Sequence, residues 1–175
     1  MFLVNNIKVS YKISNLLVSD LLTELKIKKL NYSETSKYII IRTNFTYIIC
    51  KTKNNLINHV NVSKIPHFHE IDDAILFFKD SICENLKLIS KNIFIDNITA
   101  TFKHNENINL KNILNINKHL PIKYNKEKFP GLFLKLSKCT LLIFHTGKVN
   151  SVGCKSAQDL IESFNDLTKI LKCQI

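Results

Sequence analysis

Residues 129–152 read FPGLFLKLSKCTLLIFHTGKVNSV. Leu132, Leu134 and Leu136 point one way along the first run, and Phe129, Phe133 and Lys135 point the other. In TLLIF, Leu141 and Ile143 oppose Leu142 and Phe144. A two-residue period of this kind marks strands, because successive side chains leave a pleated strand on opposite faces. Both faces are partly apolar. A helical layer covers only one face of an antiparallel sheet, so the second face is predicted to be open and apolar, which is the mark of a binding surface.

Working outward, the same half offers a strand at 93–102 (IFIDNITATF), a short helix near Leu110–Asn115, a short PIKY run at 121–124 and a helix from about Ser156. The other half repeats this order. Ile7, Val9, Tyr11 and Ile13 alternate with Lys8, Ser10 and Lys12, which predicts a half-buried strand. A helix follows from about Ser19 to Leu25, with Ser19 or Asp20 as its cap. Two β-rich runs, KYIIIRT (37–43) and FTYIIC (45–50), then lead to a weaker one near Leu56–Val62. IDDAILFFKDSICENL from residue 71 and AQDLIESFNDLTKILK from 157 share helical spacing. Asp73, Ile75, Phe78 and Asp80 fall on Asp159, Ile161, Phe164 and Asp166 at an offset of 86 residues. NNIKVSYKI at 5–13 and KNIFIDNIT at 91–99 correspond at the same offset. A fixed period close to half the chain is the signature of a tandem duplication. The predicted organisation is a first, degenerate repeat over 1–88 and a second over 89–175, together one domain. The fold class is α+β.

Lys plus Arg number 25 against 14 Asp plus Glu, a formal charge of +11 on 175 residues. Such a surplus points to a polyanionic partner, and nucleic acid fits better than a membrane because no basic amphipathic helix stands out. No apolar run approaches a membrane span and no charged-then-apolar leader opens the chain, so a secreted or integral membrane protein is not expected. Arg42 is the sole arginine, and Asn and Ile are heavily used, as in Asn105–Asn117. Part of the basicity therefore reflects AT-rich codons, such as those of a parasite or a large DNA virus. Five scattered cysteines (Cys50, Cys83, Cys139, Cys154, Cys173) without a C-x-x-C pair read as reduced thiols of an intracellular protein.

The second half resembles the carboxy-terminal repeat of the TATA-box-binding protein family. The residues that carry the resemblance are Asp96-Asn97-Ile98, then Tyr124-Asn125-Lys126-Glu127-Lys128-Phe129-Pro130-Gly131-Leu132, then Leu141-Leu142-Ile143-Phe144-His145-Thr146-Gly147-Lys148 and Gly153-Cys154-Lys155-Ser156. The resemblance implies a two-repeat saddle, a curved antiparallel sheet with helices on its convex face. Its concave face would lie in the minor groove of double-stranded, AT-rich DNA. Phe129 and Phe144 would be wedges between base steps, rigid apolar groups suited to replacing base stacking. Asn97 would hydrogen-bond groove acceptors, Phe133 and Leu142 would line the same face, and Lys135, Lys148 and Lys155 would meet phosphates. Asn150 and Val152 stand where the family has valine and threonine on the last strand. In the first repeat Tyr38 aligns with one wedge, with Ile40 and Arg42 on its face. Ile48 is assigned to the same surface, Cys50 falls at the second wedge, and Ser10 or a neighbour replaces the central asparagine.

The resemblance further implies a partner, transcription factor IIB or other basal factors of the RNA polymerase machinery, at the loop holding Asn125, Glu127 and Lys128. The site of action would be the nucleus, or a viral factory or virion. A rival reading is a protein–protein scaffold of the same fold that has lost DNA bending, and a third is an accessory domain of a nucleic-acid enzyme. No G-x-S-x-G, phosphate-cradling G-K-[ST] or H-E-x-x-H motif is present, so no enzyme and no cofactor are expected. His67-Phe68-His69-Glu70 places two histidines on one side of a possible strand, but no third ligand has suitable spacing, so no metal is expected.

Overall fold

The computed structural model describes residues 2–82 and 93–172. The predicted boundary at 88/89, the end of the first long helical pattern, and Cys83 and Cys173 lie outside the described residues. The chain divides into two compact units, Asn6–Asp96 and Asn97–Ile175, the latter joined by Met1–Asn5.

The Asn6–Asp96 unit holds most of β1 (Phe2–Leu17), α1 (Val18–Ile27), β2 (Tyr32–Glu34), β3 (Tyr38–Arg42), β4 (Thr46–Lys51), β5 (Leu56–Ile65) and α2 (Glu70–Phe77). All of its pairings are antiparallel, in the order β2-β3-β4-β5-β1. Ile7, Val9, Tyr11 and Ile13 are buried, as their alternation predicts. β2 has no counterpart in the sequence pattern: its three residues carry little apolar signal, and pairing with Ile39–Ile41 fixes it. Helix α1 starts at Val18 with no side-chain cap. Ser19 and Asp20 sit inside its first turn, where Ser19 bonds Asp20, so neither caps it. Helix α2 runs into a π-helical turn, Phe78–Ile82. Buried Tyr47 stacks on Phe77, meets Phe78 at a tilt of 42°, and donates its hydroxyl to the Ala74 carbonyl at 2.7 Å.

The other unit holds the bulk of β6 (Phe94–Lys103), α3 (Leu110–Ile116), β7 (Ile122–Lys123), β8 (Leu132–Lys135), β9 (Thr140–Ile143), β10 (Lys148–Cys154) and α4 (Ala157–Lys172). Its strands follow the antiparallel order β6-β10-β9-β8-β7. Leu132, Leu134, Leu141 and Ile143 are buried together with Leu160 and Leu167 of α4. Asn109 caps α3 by accepting from the Asn112 N–H at 3.1 Å. Under α4, Cys139 donates to Ser163 at 2.9 Å and Ser151 bonds Cys154 at 3.3 Å; burial pushes the Cys154 thiol up.

The two units reuse one design. Tyr11 on β1 meets Phe78 edge-on at 6.4 Å, and Phe102 on β6 meets Phe164 of α4 edge-on at 4.5 Å. The strand residues are 91 apart and the helix residues 86 apart. The single offset of 86 therefore holds for the long helices only, and the first strands correspond with five more residues between them.

Candidate nucleic-acid interface

In the Asn97–Ile175 unit, the face opposite α4 is built in rows. Phe133 opposes Leu142, Leu142 opposes Asn150, and Asn150 opposes Thr101. One step along, Lys135 opposes Thr140, Thr140 opposes Val152, and Val152 opposes Thr99. Phe133 and Val152 are each 37% exposed, far more than a strand buried on both faces permits.

At the end of this face three phenylalanines meet. Phe129 lies 5.1 Å from Phe133 and 5.9 Å from Phe144, ring centre to ring centre, within the range of favourable aromatic pairs. Gly131 makes the cluster possible. A Cβ there would lie 2.7 Å from Cε1 of Phe129 and 3.0 Å from Cε1 of Phe144. Without a side chain there, both half-buried rings close over the strand together.

The turn that delivers Phe129 is made by Asn125. Its carbonyl accepts from the N–H groups of Lys128 and Phe129, and its Oδ1 accepts from those of Glu127 and Lys128. The Asn125 side chain is thus occupied in holding the loop, while Glu127 and Lys128 are exposed. Lys135, Lys148 and Lys155 are exposed as well, and Lys148 faces the exposed Lys103 across the strands.

Asn97 is held by a backbone device. The N–H of Gly153 donates to Asn97 Oδ1 at 2.7 Å, and Gly153 has φ +98°, a conformation that side chains disfavour. With the oxygen fixed by a backbone donor, the amide nitrogen is turned away from it. The other unit contains the same device. The N–H of Lys64, at φ +64°, donates to Asn6 Oδ1 at 2.7 Å. A left-handed conformation costs a non-glycine residue about 1–2 kcal/mol, so the bulge is kept at some expense. Asn6 is therefore the counterpart of Asn97, 91 residues earlier. Ser10 is not a substitute: it is buried and donates to Asp96 at 3.0 Å. The signal that reveals Asn6 is the Asn-Ile pair shared by 6–7 and 97–98.

Strand register also corrects the placing of Tyr38. Ile40 faces Ile48, Arg42 faces Thr46, and Tyr38 faces Cys50. These rows match Phe133–Leu142, Lys135–Thr140 and, one step beyond Leu132–Ile143, Gly131–Phe144. Cys50 stands at the place of Phe144. Tyr38, 42% exposed, stands at the place of Gly131, and Ser36 at that of Phe129. Arg42 is exposed with Nη1 donating to Ser33 at 3.1 Å, and Ile48 is half-buried on the same face.

Other candidates do not gather into a centre. His67 and His69 stack at 5.4 Å, and no group of three metal-ligating side chains occurs among the described residues. No helix among the described residues is long and apolar enough to cross a membrane.

Residues 92–174 match the family model described as transcription factor TFIID (or TATA-binding protein, TBP). The TATA-box-binding protein of Pyrodictium occultum is 40% identical over 80 residues, 45% of this chain and 39% of that protein. That of Methanocaldococcus jannaschii is 36% identical over 89 residues, 50% of this chain and 48% of that protein. In these alignments the chain spans less than half the length of each relative. A solved structure of Methanococcus jannaschii TBP superposes with a TM-score of 0.80 at 23% identity, covering 98% of both chains. Residues 92–174 thus match the TATA-binding-protein family model, and over its length the chain has the α+β fold of that solved structure.

Proposed function

We propose that the protein is a non-enzymatic transcription initiation factor that binds AT-rich double-stranded DNA in the minor groove. The observation that carries this reading is the Phe129–Phe133–Phe144 cluster on an open sheet face, closed over Gly131. Core aromatics do not stand half-exposed on an open sheet face beside exposed lysines. A groove that separates A·T from G·C poorly is read through shape and deformability, and apolar wedges suit that task. Lys135, Lys148 and Lys155 supply phosphate contacts beside them, and the formal charge of +11 supplies attraction at longer range. Phe133, Leu142, Asn150 and Val152 contact the groove floor in this unit, and Tyr38, Arg42 and Ile48 in the other. The duplication, with repeats over 1–88 and 89–175, accounts for the two bulge-held asparagines.

The loop at Asn125, Glu127 and Lys128 recruits a basal factor of the transcription factor IIB kind, or the polymerase machinery. Lys126 and Lys128 flank Glu127, so the loop carries net positive charge. A partner with a compensating acidic patch fits it, since like charges across an interface cost several kcal/mol. Transcription in a nucleus or a viral factory is the matching setting.

A mobility shift on AT-rich duplex at two salt concentrations tests the proposal. Binding that weakens steeply with salt is expected. No binding at low salt favours the second reading, a transcription-complex scaffold that has lost DNA bending. That reading rests on Ser36 and Cys50, which leave the first unit without a phenylalanine pair.

A further inference from the structure

We infer that Asn150 is a base-discriminating residue that excludes G·C pairs, and that Thr101 positions it. The inference rests on the minor-groove reading above and deepens it.

Three polar side chains form a relay on the open face of the Asn97–Ile175 unit. Asn5 Nδ2 donates to Thr101 Oγ1 at 2.6 Å, and the Thr101 hydroxyl donates to Asn150 Oδ1 at 3.1 Å. A hydroxyl has one proton to give. Because Thr101 receives from Asn5, that proton goes to Asn150 and holds the amide oxygen. The Asn150 NH₂ is then the end turned away from Thr101. Asn150 lies in mid-row, between Leu142 and Thr101, on strand positions that alternate with buried Val149 and Ser151. Its half-buried side chain has a greasy neighbour on one side and its anchor on the other.

A fixed NH₂ on this face has one kind of complement. A·T and T·A pairs present only acceptors in the minor groove, N3 of adenine and O2 of thymine. A G·C pair adds the N2 amino group of guanine, a donor. Two donors facing each other leave both unpaired in a desolvated contact. A valine, which the resemblance puts at this position, tolerates the amino group sterically or not at all but makes no demand for an acceptor. Asn150 therefore adds a requirement that apolar contact and wedging do not supply.

Inosine·C pairs separate this effect from DNA shape. Inosine lacks the N2 amino group, so I·C displays A·T-like acceptors in the minor groove while keeping the G·C major-groove edge. The experiment scans an AT-rich duplex, replacing one A·T pair at a time by I·C or G·C, and reads the affinity ratio I·C over G·C by mobility shift. Wild type is expected to show a ratio of about tenfold at the pair facing Asn150. Asn150→Val brings that ratio near one there and leaves it unaltered at the pairs facing Asn97. Thr101→Val reduces it in the same place, and Thr101→Ser restores it, which a merely structural role for Thr101 does not explain. Thermal unfolding of each variant checks that it is folded. Unaltered discrimination in Asn150→Val overturns the inference while leaving DNA binding intact. A preference for G·C at that pair also overturns it, since the relay then runs in the opposite sense. Failure of wild type to bind either the A·T or the I·C duplex defeats the minor-groove reading itself.

Discussion

Phe129, Gly131 and Phe144 in one unit and Ser36, Tyr38 and Cys50 in the other occupy the same strand positions with opposite results. One unit has two large rings over a glycine. The other has two small side chains flanking a tyrosine. The buried faces beneath have not diverged in kind: Ile39, Ile41, Tyr47 and Ile49 lie under the first set, and Leu132, Leu134, Leu141 and Ile143 under the second. Core positions are constrained by packing density, whereas exposed positions answer only to the partner. The difference between the units is thus a difference in what each face touches, with the backbone held in common.

The largest expected effect breaks the comparison at Phe144. Phe144→Ala should weaken binding to AT-rich duplex by about thirtyfold, the equivalent of about 2 kcal/mol for a lost wedge, whereas Cys50→Ala should change it less than about twofold. Fluorescence energy transfer on end-labelled duplex should show the kink concentrated at one end in wild type and lost in Phe144→Ala. The converse construction sharpens the point. Ser36→Phe, Tyr38→Gly and Cys50→Phe together rebuild the ring cluster in the first unit and should introduce a second kink. Cys50→Phe alone should not, because Tyr38 occupies the place that Gly131 leaves empty in the other unit. A symmetric kink in wild type that survives Phe144→Ala would show that the two faces act alike despite their side chains.

The same contrast explains what was readable in advance. FPGLFLKL and TLLIF declare both strands and both faces, because period-two alternation and the Phe-Pro-Gly turn are local signals, and the structure places Phe133 and Lys135 opposite Leu132 and Leu134 as expected. In the first unit KYIIIRT also declares a strand, but four consecutive β-formers carry no mark of register. The alternation of Tyr38 with Ile40 and Arg42 fixes its face but not its place along the strand, and only the pairing with Cys50 shows that it stands two residues too late for a wedge. Asn6 escaped notice for a related reason. The offset taken from the long helices does not apply to the first strands, and the bond that identifies Asn6 comes from Lys64, fifty-eight residues away. Long-range hydrogen bonds of this kind leave no periodic trace.

A smaller effect concerns charge. Arg42 and Lys135 hold equivalent places, opposite Thr46 and Thr140. If both faces lie on DNA, Arg42→Ala and Lys135→Ala should each lower the slope of log K against log salt by about one and weaken all sequences alike. A change confined to Lys135 would mean that the first unit does not engage phosphates, which favours the scaffold reading for that unit.

The smallest effect separates the two long helices. At the start of α4, Ser156 Oγ accepts from the Asp159 N–H at 3.0 Å and Asp159 Oδ2 accepts from the Lys155 N–H at 3.0 Å, a reciprocal cap. The Lys155 N–H is the main cause that holds the Asp159 carboxyl below the usual carboxylate range, aided by Ser156 and the nearby Lys138. Asp73, its counterpart by the helical offset, is exposed in the first turn of α2, whose N-cap His69 makes no side-chain cap bond. Since the folded-state value at Asp159 is lowered, its ionised form stabilises the fold. That contribution is complete above the unfolded value of about 4 and is lost as pH falls through the folded value. Asp159→Asn should therefore lower Tm at about pH 7, and the gap to wild type should close as the pH falls below the unfolded value. Because the carboxylate is only half-buried and is screened by salt, the effect is small, and thermal melts across the acid range are the measurement that resolves it. An Asp159→Asn gap that stays constant across that range would show that the cap works through hydrogen-bond geometry alone, without its charge.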